Sequence, residues 1–325
     1  MTRFWLLSFV LGLLLVFLAG VALMGALPWG QALSDTDWLI LRELRLPRVL
    51  VAIVAGAALA VSGGLMQTFF RNPLAEPGLL GVNAGAMLVV ALLVLAAPAT
   101  VAATGLPALG LVGAGALGAA LAFGAIMLVA HRYSDRAVLL ILGLLAGHFL
   151  SGCVSLLVQF STPDKIQSFL VWSYGSFGTV SVEQLPWLVV PVALALLAAW
   201  SVAHELDALA LGDDAAAALG VSVVWVRRVL VTVVALASGS VTAFCGPIGY
   251  LGLVTPHLAV ALVRSTRHRV WLPVTALLGS CLALAADTVS HWPGSDRILP
   301  LNAIASFLGT PVIVWILLRR GREEL

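Results

Sequence analysis

RLPRVLVAIVAGAALAVSGGLMQTFFRNPLAEPGLLGVNAGA, residues 45–86, holds the pattern that decides the fold. From Val49 to Phe70 the chain carries no charge, a run long enough to cross ~30 Å of hydrocarbon as a helix rising 1.5 Å per residue. The run stops at Arg71. Asn72-Pro73 and Glu76-Pro77-Gly78 cannot prolong a helix, because each proline lacks an amide donor and restrains the residue before it. At Gly78 a second apolar run begins. Irregular backbone near membrane depth survives only where protein or water satisfies its polar groups. Residues 71–81 are therefore expected to pack among helices or to border water. A tight turn at the inner surface would explain the prolines and glycines equally well, but less well the clustering of Arg71, Asn72 and Glu76.

Working outward, the same alternation of long apolar runs and short polar breaks fills the chain. Of 325 residues, 61% are hydrophobic and 10% charged, and the mean hydropathy of +1.09 lies far from that of soluble globular domains. Ten apolar stretches read as membrane helices, near residues 4–27, 47–69, 78–98, 106–130, 137–160, 185–203, 226–245, 252–263, 270–290 and 299–318. The first is too long for the apolar core of a signal peptide and is kept as a span. The fold class is thus an all-α integral membrane protein, one membrane domain over residues 1–325. With the N-terminus inside, twelve of the seventeen Lys and Arg residues fall on the cytoplasmic side, as positive-inside bias demands, and an even number of spans leaves both termini cytoplasmic. The net charge of +2 reflects this topology and points to no nucleic-acid partner. Cys153, Cys245 and Cys281 are scattered through apolar spans and the six His residues are as dispersed, so neither a metal site nor a resident cofactor is expected.

Several function classes can be weighed from the residues. A P-loop needs Gly-x-x-x-x-Gly-Lys-Ser/Thr, and the single lysine, Lys165, is followed by Ile166 on the outer side, so this chain is no ATPase by itself. Ion-coupled carriers bury ionisable groups in their spans. The candidates are Asp287, His148 and His257, for which helix-end and helix–helix hydrogen bonding are the plainer roles. An intramembrane enzyme would need a convergent catalytic set, which the pattern does not offer.

The longest polar stretch between spans is HELDALALGDDAAAALGVSVVWVRR, residues 204–228. Gly212 and Asp213 can open a short helix, the acids Asp213 and Asp214 suit its positive end, the alanines propagate it and Gly220 can end it. Ser222 offers an N-cap for a second helix running into Val226 and the next span. Two short helices around residues 206–224 would make a compact cytoplasmic knob, suited to receiving force from a soluble partner.

Residues 45–86 also resemble the signature segment of the FecCD family of permeases, which serve ferric-siderophore, haem and cobalamin importers. Similar blocks follow in order: LALGDDAAAALGV from Leu209, GPIGYLGLVTPHLAVALV from Gly246, HRVWLPVTALLGSCLALAADTV from His268 and LPLNAIASFLGTPVIVWILL from Leu299. The resemblance implies the permease subunit of a type II ATP-binding-cassette importer, with a cobalamin-importer-like fold of about ten helices per subunit. It further implies a homodimer in the bacterial inner membrane, two cytoplasmic ATPase subunits that bind the ATP and Mg, and a periplasmic substrate-binding protein. The chain itself would be a transport subunit without catalytic residues. An iron chelate is the first cargo implied, with cobalamin as the alternative and a proton-coupled secondary transporter as the rival mechanism.

The resemblance also assigns roles. Leu211, Gly212, Asp213, Asp214, Ala215, Ala216 and Gly220 match the coupling loop, with Asp in place of the family's Glu. Arg45 and Arg48 are similar to arginines that receive acidic residues of the binding protein. A third docking arginine is replaced here by His291, with Arg297 as a possible substitute. Within residues 165–180, Trp172, Tyr174, Gly175 and Phe177 match a short periplasmic re-entrant helix built from this aromatic cluster, and a gate. Arg71, Asn72, Pro73, Glu76 and Pro77 form the inner-end turn, read as bracing the pathway near the coupling knob. A weak echo relates Gly78-Leu79-Leu80-Gly81 to Gly249-Tyr250-Leu251-Gly252, which run in opposite directions under this topology.

Overall fold

The computed structural model describes residues 2–24, 34–96, 108–132, 136–291 and 298–323. In chain order the α-helices are α1 (Thr2–Met24), α2 (Asp35–Ile40), α3 (Leu46–Phe70), α4 (Val82–Leu95), α5 (Ala108–Arg132), α6 (Arg136–Gln159) and α7 (Pro163–Ser173). They continue with α8 (Leu185–Ser201), α9 (Ala203–Leu211), α10 (Asp213–Ala218), α11 (Val223–Cys245), α12 (Leu251–Val263), α13 (His268–Ser290) and α14 (Leu301–Glu323). A capping box opens α2: the Ser34 hydroxyl accepts the Asp37 amide while the Asp37 carboxylate accepts the Ser34 amide. A single π-turn over Leu41–Arg45 then carries the chain into α3.

Each of the ten apolar stretches contains a helix. Among the described residues, five segments are long and apolar enough to cross a membrane alone: Phe4–Leu23, Asp35–Phe70, Val138–Gln159, Val223–Cys245 and His268–Ser290. The pair α8–α9, bent by 58°, makes a sixth, and four apolar helices are shorter. Two of these are α4 with 14 residues, which begins directly after Gly78–Gly81, and α12 with 13, which begins at Leu251 within the second echoed motif. The expected run from Gly78 therefore becomes α-helical only at Val82, because Pro77–Leu80 is a 3-10 turn and Gly81 is left-handed at φ 74°.

α3 is the central element, buried along most of its length and packed against α1, α8, α11, α12 and α13. Between apolar helices in lipid the water-exclusion term is absent, so close backbone approach has to supply the attraction. A Cβ on Gly56 would stand 2.3 Å from the carbonyl oxygen of Gly279, and one on Gly63 would stand 1.8 Å from that of Gly252. Only glycine permits these two crossings.

The far end of the turn after α3 lies alongside the middle of α6. A Cβ on Gly81 would be 3.7 Å from the Gly143 carbonyl and 3.6 Å from the Gly147 amide, partway along α6, and Gly252 meets Leu59 and Gly63 of α3. Gly81 is buried among helices, while Arg71 and Leu74 at the start of the turn are exposed. His257 Nε2 lies 2.7 Å from the Pro73 carbonyl, and Asn72 Oδ1 accepts the Leu74 amide in an Asx turn. Ala75 and Pro77 are buried.

Candidate functional site

The short helices α9 and α10 and the turn after α3 form one site. Arg71 ends α3 in the left-handed region (φ 48°), where its amide bonds Thr68 and that of Asn72 bonds Gln67, the pattern that glycine usually serves. The cost of a Cβ in that conformation is offset by what its side chain holds. The guanidinium donates to the Leu209 carbonyl at 3.2 Å and stands 3.9 Å from the Asp213 carboxylate. Arg227 of α11 grips the other oxygen of Asp213 while its guanidinium lies 6.0 Å from the centre of the Phe69 ring. Asp213 thus ties α10 to α3 and α11 together, two motifs that the sequence presents 142 positions apart.

The knob itself follows its sequence closely, with one correction. Gly212 links α9 to α10 at φ 132°, where a Cβ would come 3.2 Å from Arg71. α10 ends in a Schellman motif: Gly220 at φ 81° bonds Ala217 and the Val221 amide bonds Ala216. Ala216 is buried, Ala215 half-buried and Asp214 exposed, while Leu211 and Leu219 put apolar side chains into the open at 72% and 65% exposure. The second short helix, however, precedes the glycine as α9. The helix expected from Ser222 runs on into the span, as its sequence implied, and is the first turn of α11, because nothing breaks the chain after Val223. Asp213→Ala is expected to cost about 1 kcal/mol or less in stability, since both arginines are partly exposed, yet to reduce transport severely. Thermal unfolding in detergent and uptake by the assembled transporter check the two halves of that statement.

A polar chain centred on the buried His268 at the same end has no local sequence signal. Asp207 of α9, His268 at the start of α13 and Thr68 in the last turn of α3 are joined by short contacts across 61 and 200 positions. Such a connection is legible only in three dimensions.

At the outer end the arginines already have partners. Arg45 donates to the Leu23 carbonyl at 2.6 Å, satisfying the C-terminal end of α1. Arg48 Nε donates to the carboxylate of Asp287 at 2.9 Å, and Asp287 is only 1% exposed. His291 Nδ1 sits 3.1 Å from the Asp287 carbonyl and 3.4 Å from its carboxylate. The departure from the family arginine therefore places an imidazole against the same carboxylate that holds Arg48. Arg297 lies outside the described residues. Arg42 is the outer arginine with the greater exposure, its side chain 82% accessible beside Glu43. Asp287 is a helix-end ion-pair member, and His148, on an exposed face of α6, bonds the carbonyl of Leu144 in its own helix.

The segment expected to be re-entrant starts with α7, which contains Trp172 in its final turn, so the helix precedes Tyr174 and Phe177 instead of being built from the whole aromatic cluster. Tyr174 caps it, half-exposed, Gly175 turns the chain at φ 73° and Phe177 is fully buried. The Ser176 amide then bonds the Cys245 carbonyl and the Thr179 hydroxyl bonds that of Phe244. Asn302, a residue the sequence reading missed, holds the join: its Nδ2 donates to Pro247 at 2.6 Å, its Oδ1 accepts the Gly249 amide, and its own amide bonds Tyr174. This one side chain satisfies backbone of the break between α11 and α12 that neither helix can.

The family model described as the FecCD transport family matches residues 6–319. A hemin transport system permease protein of Yersinia pestis is 37% identical over 98% of this chain and 97% of its own. Vitamin B12 import system permease proteins of Klebsiella pneumoniae and Salmonella typhimurium are 35% and 36% identical, over 99% and 98% of this chain and 96% of theirs. A solved structure described as an inward-facing conformation of a metal-chelate type ABC transporter superposes with a TM-score of 0.86 at 29% identity, covering 96% of this chain and 98% of that one. Matched along nearly all of its length in sequence and in fold, the chain belongs to the FecCD transport family.

Proposed function

We propose that this permease moves an iron chelate, haem or a siderophore, across the bacterial inner membrane as one half of a homodimer. Two ATP-binding-cassette subunits engage the α9–α10 knob, and a periplasmic binding protein docks on the rim around Arg42, Arg45 and Arg48. About ten spans, both termini cytoplasmic, form the single membrane domain. The observation that carries the reading is the Asp213 junction, which fastens a short exposed helix with an apolar tip to the core helices α3 and α11. A lever of that kind has a use where force arrives from a soluble partner. The hemin permease relative supports haem among the cargoes, and the vitamin B12 permeases support cobalamin as the second reading.

In the cycle, nucleotide binding would shift α10, Asp213 would transmit the shift through Arg71 and Arg227, and the breaks before α4 and α12 would let the dimer alternate its access. The test is reconstitution in liposomes with the partner ATPase and binding protein, offering haemin and cyanocobalamin separately. ATP-dependent haemin uptake is expected. Uptake driven by a pH gradient without the ATPase would overturn the reading, and cobalamin uptake alone would move the cargo to the second one.

A further inference from the structure

His268 is the first residue of α13 and only 2% exposed. Its backbone N–H and its Nδ1 both face one oxygen of Asp207, at 2.8 and 2.6 Å. Asp207 thereby caps α13 from another helix, a role usually taken by a residue of the same chain segment. Nε2 lies 3.0 Å from the Thr68 hydroxyl, which is also 3.1 Å from the Gly64 carbonyl. With Asp207 ionised, the Nδ1–H donates to it and that bond fixes the tautomer, so Nε2 accepts the hydroxyl proton that Thr68 shares with Gly64. Trp271 packs on the imidazole with ring centres 5.0 Å apart, and its Nε1–H is held by the Thr266 carbonyl at 3.1 Å. The ring is therefore pinned on its edge and on its face.

We propose that Asp207, His268 and Thr68 are positioning residues that carry displacement of the cytoplasmic helices into α13 and the end of α3. The proposal rests on the reading of α9–α10 as the coupling element and adds a second arm to it. Asp213 reaches α3 and α11, whereas Asp207 reaches α13, the helix whose Gly279 lies backbone-to-backbone against Gly56 of α3. α9 meets α8 at 58°, so it is a lever and not a straight continuation of the span. Motion of α9 pulls on the first turn of α13 through two hydrogen bonds to one carboxylate, and hydrogen bonds to ionised groups are about twice as strong as neutral ones.

The test uses the complete transporter in liposomes with haemin as the probe, comparing Asp207→Ala, Thr68→Val, His268→Asn and His268→Gln. For Asp207→Ala, ATP hydrolysis is expected to stay within about twofold while haemin uptake falls about tenfold, so that far more ATP is spent per haemin. His268→Asn, whose amide can still donate to Asp207, should recover more uptake than His268→Gln, whose longer amide reaches toward Thr68. Uptake and hydrolysis falling in parallel, or uptake unchanged, would overturn the link. If Asp207→Ala does not assemble, Thr68→Val removes only the far contact and carries the same comparison. If the wild type moves neither haemin nor cyanocobalamin, the functional reading fails separately. The link is then judged from spin labels on α9 and α13: a distance held constant on ATP binding in the wild type but not in Asp207→Ala supports it, and equal behaviour in both refutes it.

Discussion

Asp287→Ala is expected to destabilise the protein by about 3 kcal/mol, the lower end for breaking a buried ion pair, because Arg48 keeps some access to solvent. The loss comes less from the missing attraction than from a guanidinium left without its acceptor in a poorly solvated place. Arg48→Ala should cost a similar amount by stranding the carboxylate, and the double alanine variant should be less harmful than the sum of the two. Thermal unfolding in detergent, followed by tryptophan fluorescence, measures all three. Additive losses would mean that the pair is not coupled. The pairing also bears on docking. Arg48→Glu would set two carboxylates together at the outer end of α13 and weaken partner association for reasons of stability alone. Arg42→Glu, on an exposed side chain, is the cleaner probe, and its effect on binding-protein association should fade as salt rises.

The second large effect is expected at the α3–α12 crossing. Gly63→Val would place a Cβ 1.8 Å from the Gly252 carbonyl oxygen, and the obstructing atoms are backbone, so no rotamer change relieves the contact. The helices must move apart, with a loss of about 3 kcal/mol or more, at or beyond the upper range for overpacking. The damage should extend to His257 and Gln67, whose hydrogen bonds to Pro73 and Leu253 depend on that spacing. Gly124→Ala is the control, since a Cβ there meets nothing within 4 Å. It should be neutral or stabilising by up to about 1 kcal/mol through helix propensity. Equal unfolding midpoints for the two variants would contradict the crossing.

Much of the architecture was legible without coordinates because hydrocarbon imposes one-dimensional rules. A run such as Val49–Phe70 has to be helical in lipid, Asn72-Pro73 has to end it, and Gly212 and Gly220 have to bound a short helix, since each statement concerns neighbours in the chain. The α10 knob and its ends followed for that reason. One local reading went astray for the same reason in reverse: nothing within the window around Trp172 says that the short helix ends at Ser173, before Tyr174 and Phe177.

Sequence by itself determined the membrane class, the helical elements, their breaks and the family, all of which rest on composition and order along the chain. Only the tertiary structure decided what the charged and polar side chains do. Arg48 meets Asp287 across 239 positions, Arg71 meets Asp213, Asp207 meets His268 and Thr68, and Asn302 closes the break at Pro247. Few polar groups are available inside an apolar bundle and each unpaired one is costly. Their partners are therefore set by which helices pack together, and that packing is fixed by backbone contacts at Gly56, Gly63, Gly252 and Gly279 that no local pattern encodes.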